Sequence, residues 1–242
     1  MTASDTTPVA LVTGAGSGIG ADVVGKLAAK GYRVALVGRT ASKLERVGNS
    51  LDGLEGAQWI QIPADVGVPE QAEEMVDETV DTFGRIDALI NNAGWTELLP
   101  IARHDAAMVR KIFEINAMGP IWAIIRALPK MKAQGGGVIV NVSTMGTQDP
   151  FKGLGVYGSA KAACETICKA IAAEHARDKI KAYCVGPGAV ETALLRSLFS
   201  EKAVPADKTI QPEEIAQIIV DCVTGATDLE SGQTRHVAGA FH

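Results

Sequence analysis

Tyr157 and Lys161 stand four residues apart at the start of a long helical pattern, so their side chains share one face. An ammonium beside a phenol stabilises the phenolate, which makes Tyr157 a group able to give and take a proton near neutral pH. Earlier in the chain, Val140-Asn141-Val142-Ser143 reads as a strand ending in a hydroxyl. A serine there can donate to a carbonyl oxygen and polarise it for attack. Asn116 lies within Phe113-Glu114-Ile115-Asn116-Ala117-Met118-Gly119-Pro120. Pro120 has no N–H for the Asn116 carbonyl, so a kink is expected and that carbonyl is freed to hold water. Taken singly, each residue also has an ordinary reading, as a strand-end serine, a chance spacing or a structural kink.

A second constellation opens the chain. A strand at 9–13 runs into Thr13-Gly14-Ala15-Gly16-Ser17-Gly18-Ile19-Gly20, and a helix follows. Glycines between strand and helix let the backbone turn tightly and approach a pyrophosphate, whose charge the helix N-terminus favours. Gly14, Ser17, Gly18, Ile19 and Gly20 are the expected contacts. The end of the second strand, Val37-Gly38-Arg39-Thr40, has glycine where an acid would bind a ribose 2′-hydroxyl. A guanidinium at Arg39 suits a 2′-phosphate instead, which favours NADP(H) over NAD(H).

Both constellations must sit on strands that end at one edge. Strand patterns fall at 9–13, 33–37, 58–62, 88–91, 138–142, 181–185 and 234–237, and helical patterns at 18–30, 42–51, 69–83, 105–132, 156–176 and 212–223. Such alternation predicts an α/β fold, a Rossmann-type doubly wound parallel sheet of about seven strands with helices on both faces. Ligands then bind beyond the carboxyl ends of the strands, where strand order reverses. At 242 residues, one domain is expected, with residues 1–7 a flexible lead.

Composition sets further limits. Hydrophobic residues make up 47% and aromatics 5%, so the core must be built from Ala, Val, Ile and Leu. A net charge of −5 with scattered signs argues against a nucleic-acid partner. No run suits a membrane span or a signal peptide, so a cytoplasmic protein is expected. Cys164, Cys168, Cys184 and Cys222 read as buried thiols, and His104, His175, His236 and His242 as isolated surface or terminal residues, so no metal site is expected.

The Gly14-x-x-x-Gly18-x-Gly20 spacing resembles that of the short-chain dehydrogenase/reductase family, and the resemblance runs over roughly 9–237. It implies hydride transfer between NADP(H) and a carbonyl or secondary alcohol, with Asn116, Ser143, Tyr157 and Lys161 as catalytic tetrad and a water on Asn116. It further implies cofactor contacts from Arg39 and Thr40, from Asp65 and Val66, from Asn91, Ala93 and Gly94, and from Tyr157 and Lys161. Pro187, Gly188, Val190 and Thr192 would hold the nicotinamide end. Substrate contacts are expected from Trp95, Met145, Gln148, Phe151, Leu194, Leu195, Leu198 and Phe199, with 193–211 as a lid. A homo-oligomer, dimer or tetramer, is the family's habit, and the Cys164, Cys168, Ile171 stripe is one surface able to pair across a twofold or to pack inward. Ser17 replaces a basic residue frequent in NADP-binding members, Tyr183 replaces a common asparagine, and the tail reads Val237-Ala238-Gly239-Ala240. Overall proportions resemble 3-oxoacyl-carrier-protein reductases, for whose acidic partner Lys130 and Lys132 are the available docking charges. A non-catalytic NADP(H) sensor is the alternative of another class.

Overall fold

Strand β1 (Val9–Thr13) is buried at every position, as a strand covered on both faces must be. Ala10 and Val12 pack to one side of the sheet and Leu11 to the other. The structure, a computed structural model, describes residues 6–240. His242 and residues 1–5 of the expected lead lie outside the described residues.

Helix α1 (Gly18–Ala29) crosses over to β2 (Arg33–Gly38), and α2 (Ala41–Asn49) leads to β3 (Trp59–Pro63). Helix α3 (Pro69–Phe83) precedes β4 (Ala88–Asn91), and α4 (Ala106–Phe113) and α5 (Gly119–Gln134) precede β5 (Gly137–Val142). Then come α6 (Gly155–Glu174), β6 (Ile180–Pro187), α7 (Ala193–Leu198), α8 (Pro212–Thr224) and β7 (Thr234–Val237). The seven strands are all parallel, in the order β3-β2-β1-β4-β5-β6-β7. Strand order therefore reverses between β1 and β4, which opens the crevice expected of a doubly wound sheet.

Two aliphatic layers hold the helices on. Val23, Val24 and Leu27 of α1 and Ile215 and Ile219 of α8 cover one face. Met75 and Val76 of α3, Ile124 and Ala127 of α5, and Cys164, Cys168 and Ile171 of α6 cover the other. Each fully buried Val, Leu or Ile contributes about 1.5–3 kcal/mol. The Cys164–Cys168–Ile171 stripe thus packs against its own sheet and is not free to pair with another subunit. All four cysteines are free and buried. Burial pushes the Cys164 thiol up to about 11, so it stays protonated and inert.

The single helix expected over 105–132 is two. A π-helical turn, Glu114–Met118, separates α4 from α5. Pro120 removes a hydrogen bond there, and the ladder absorbs the loss with wider spacing. The Asn116 carbonyl expected to be free accepts from the Cys164 thiol at 3.2 Å. Strand six runs beyond its expected end, so Pro187 closes the strand and does not follow it.

Candidate active site at the carboxyl ends of the strands

The turn after β1 is built for close approach. Gly14 adopts φ +67, and a Cβ on Gly20 would lie 2.3 Å from the Gly14 carbonyl oxygen. Gly20 therefore works from beneath, letting α1 start against the turn, and it does not line the cleft. Ser17 makes no side-chain cap, which leaves the first N–H groups of α1 open. At α7, by contrast, Thr192 Oγ1 accepts from the Leu195 N–H at 3.2 Å. Thr13, the last residue of β1, and Asn92, just after β4, brace the turn. Thr13 Oγ1 accepts from the N–H groups of Asn92 and Ala93 at 3.0 and 3.1 Å, and Asn92 Nδ2 donates to the Thr13 carbonyl at 2.9 Å.

A cleft of about 440 Å³ runs from this turn along the strand ends. Gly14, Ser17, Gly18, Ile19, Arg39, Thr40, Asp65, Val66, Ala93 and Gly94 line one half, and Pro187, Gly188, Val190 and Thr192 continue it. Ser143, Tyr157 and Lys161 stand in its wall. Asn91 does not line it: buried at the end of β4, its Nδ2 donates to Asn141 Oδ1 on β5 at 2.9 Å, tying two strands together. Lys43, which the sequence reading passed over, joins Arg39 beside the expected adenosine end. Its signal was available, since it lies four residues on from Arg39.

Lys161 is only 1% exposed, yet its ammonium has one backbone acceptor, the Val142 carbonyl at 2.7 Å. Its Nζ is 5.9 Å from the centre of the Tyr157 ring. A buried ammonium carries three donors and is costly without partners, so its remaining donors call for polar groups within the cleft. Asn116 stands behind this pair, wholly buried and outside the cleft wall. Its Nδ2 donates to the Trp95 and Ile112 carbonyls at 2.6 and 2.8 Å, and its Oδ1 accepts from the Trp95 N–H at 3.2 Å. These bonds hold the segment after β4 against the π-helical turn.

The other half of the cleft is apolar. Trp95, Met145, Phe151, Leu194, Leu195, Leu198 and Phe199 line it, joined by Leu154 and Val204, whereas Gln148 is exposed outside it. Phe151 and Phe199 meet edge to face at 5.3 Å, joining the loop after β5 to the end of α7. Glu191 fastens α7 from below: Arg196 forks onto its carboxylate, and Thr209 Oγ1 donates to it at 3.1 Å. The hydrogen bond from Arg196 holds the Glu191 carboxyl below its usual value, and the Thr209 bond adds to this. Among the described residues, Asp149 is the one charged side chain lining this half.

His236 departs from its expected place on the surface. Half-buried on β7, it lies 3.2 Å from Glu165 Oε1. Among the described residues no cluster of three His, Cys, Asp or Glu side chains could hold a metal, and no helix is long and apolar enough to cross a membrane.

The sequence profile of the short chain dehydrogenases matches residues 8–203. An uncharacterized oxidoreductase of Staphylococcus aureus is 31% identical over 222 residues, 90% of this chain and 92% of its own. A 3-ketoacyl-(acyl-carrier-protein) reductase from Brucella melitensis, solved with NADH, superposes at a TM-score of 0.87 with 27% identity over 97% of each chain. A 7α-hydroxysteroid dehydrogenase holding NADH and 7-oxo glycochenodeoxycholic acid also superposes at 0.87, with 26% identity over 95% of this chain and 92% of its own. With the parallel sheet, the glycine turn and the strand-end cleft, these likenesses establish that the chain belongs to the short-chain dehydrogenase/reductase family of oxidoreductases.

Proposed function

We propose that the chain transfers a hydride between NADP(H) and the carbonyl carbon of a small or extended apolar ketone, or the corresponding secondary alcohol. The observation that carries this reading is the Lys161 ammonium, buried in the cleft wall beside Tyr157 with one backbone acceptor. NADP(H), when bound, supplies or accepts the hydride. Gly14, Ser17, Gly18 and Ile19 would receive its pyrophosphate at the open N-terminus of α1. Arg39, Thr40 and Lys43 would meet the 2′-phosphate, with Asp65 and Val66 at the adenine. Ala93 and Gly94, together with Pro187, Gly188, Val190 and Thr192, would flank the nicotinamide end. Lys161 would hold the ribose hydroxyls with its remaining donors.

Ser143 Oγ orients and polarises the carbonyl oxygen, and Tyr157 Oη gives up its proton to the forming alkoxide. Lys161 steadies the phenolate left behind. Asn116 supports the site by bracing the Trp95 backbone, and its carbonyl keeps a second lone pair for the proton-supplying water. The lid segment 193–211 excludes water with Leu194, Leu195, Leu198 and Phe199.

The apolar half of the cleft, with Asp149 as its charge, supports an uncharged ketone over a phosphorylated or carboxylate substrate. Reduction of an acyl-carrier-protein substrate is less well supported, because Lys130 pairs with Asp77 at 2.8 Å and Lys132 with Asp178 at 3.1 Å. Four free, buried thiols support a cytoplasmic setting. Exposed Met118 and Ile125 on and beside α5 support homo-oligomers of one-domain subunits.

The test is NADPH oxidation, with NADH in parallel, against ketones, aldehydes and an acetoacetyl thioester. NADPH-dependent turnover of free ketones supports the reading. Thioester-selective turnover points to acyl-chain reduction, and bound cofactor without turnover to a sensor.

A further inference from the structure

Glu165 is a carboxylate that the chemistry above does not use. It lies one helical turn beyond Lys161 on α6 and is only 9% exposed. Three groups from three other parts of the chain converge on its Oε1. Ser143 Oγ, at the end of β5, donates to it at 2.7 Å, and Thr147 Oγ1, in the loop that follows, donates at 2.7 Å. His236 Nε2, on β7, is 3.2 Å away and also lies 3.1 Å from Thr147 Oγ1. Room for this imidazole is written into β6: a Cβ on Gly186 would lie 2.7 Å from its Cδ2.

Ser143 has one hydroxyl hydrogen. In the resting chain that hydrogen goes to Glu165, since a carboxylate is a stronger acceptor than the Lys161 carbonyl, 3.3 Å away. To polarise a substrate carbonyl, the hydroxyl must turn into the cleft and release the carboxylate. A buried carboxylate stripped of its donor is costly. Here Thr147 and His236 remain on the same oxygen, so Ser143 can turn without stranding a charge.

We propose that Glu165, steadied by Thr147 and His236, is a positioning residue for Ser143. It fixes where Oγ stands in the resting chain, and its other partners lower the cost of releasing the hydroxyl to the carbonyl. Through His236 it also links the last strand of the sheet to the catalytic serine. This inference rests on the hydride-transfer reading above.

A double-mutant cycle on the full chain separates positioning from mere structural support. With NADPH and a ketone that the wild type reduces, Glu165→Ala should lower kcat about tenfold to a hundredfold, less than the roughly hundredfold to thousandfold cost of losing an oxyanion donor outright, because Ser143 itself remains. KM for the ketone and the NADPH dissociation constant should move no more than about threefold. In a Ser143→Ala background, Glu165→Ala should add no further loss in kcat, because the group it acts through is gone. Glu165→Gln, which keeps an acceptor oxygen, should recover most of the activity. Multiplicative losses in the double variant, or a drop in NADPH affinity that matches the drop in kcat, overturn the proposal. Should Glu165→Ala fail to fold, the same cycle run with His236→Gln decides the matter. A wild-type chain that binds NADPH but reduces no carbonyl overturns the hydride-transfer reading and this inference together. Turnover with multiplicative losses overturns the inference alone.

Discussion

The two halves of the cleft are made of different material. The cofactor-side half is largely backbone: a glycine turn, open N–H groups at α1, and short strand-end segments braced by Thr13 and Asn92. The other half is side chains, mostly aliphatic and aromatic, brought from the loop after β4, the loop after β5 and α7. Backbone cradles need particular residues at particular spacings, because few residues adopt φ above zero or tolerate a carbonyl 2.3 Å from where a Cβ would be. An apolar wall needs only bulk, so many sequences could line it equally well. On the proposed reading, the first half therefore suits one ligand class, and the second leaves the substrate broad.

The sharpest way to separate chemistry from both halves is Tyr157→Phe, which removes only the phenolic hydroxyl. Turnover should fall about a hundredfold to ten-thousandfold, while NADPH affinity stays within about threefold in a fluorescence titration. Wild-type turnover in that variant would remove Tyr157 from the mechanism. Next in size, Arg39→Glu places a carboxylate against the expected 2′-phosphate. Exchanging a charge-assisted pair for a repulsion should cost NADPH about tenfold to a hundredfold in affinity and leave NADH within about threefold. A change in ketone KM of the same size would break the division of the cleft into halves.

Phe199→Ala tests the opposite half. It removes the edge-to-face contact with Phe151 and part of the apolar wall, so ketone KM should rise about tenfold with NADPH affinity unmoved, as steady-state kinetics would read. The smallest effect concerns the fastening of α7. Because Arg196 and Thr209 hold the Glu191 carboxyl below its ordinary value of 4.5, its anchoring is complete above that value and is lost as pH falls through the lowered one. Hydrogen-exchange protection over 193–199 should hold constant from about pH 5 to 8 and drop only in stronger acid. Glu191→Gln should give the reduced protection already at neutral pH. Equal protection in the variant and the wild type would assign the fastening to Phe151 and the apolar contacts.

Legibility in the sequence follows the same division. The order of strands and helices, the glycine turn and the Ser143, Tyr157 and Lys161 positions could be read because each depends on local spacing. Besides the misplaced His236, two expectations failed where a local pattern met a partner far along the chain. The helix expected to be continuous over 105–132 breaks at Glu114–Met118, and Cys164 takes up the Asn116 carbonyl that the break exposes. Asn91, read as a cofactor neighbour, turns inward to Asn141 because β4 and β5 register those two residues side by side. Glu165 carried a faint signal, its four-residue spacing from Lys161, but His236 and Thr147 carried none.

Alternation of strand and helix patterns, glycine placement and four-residue spacing were enough to point to a parallel α/β sheet, a dinucleotide-type turn and a tyrosine–lysine pair. These are properties of neighbouring residues, and the backbone's own sterics enforce them. Tertiary structure alone decided which face of α6 packs on the sheet, what closes the apolar end of the cleft, and that a histidine of the last strand meets the carboxylate bonded to Ser143. Contacts between residues dozens of positions apart depend on strand order and register, and no local pattern encodes those distances.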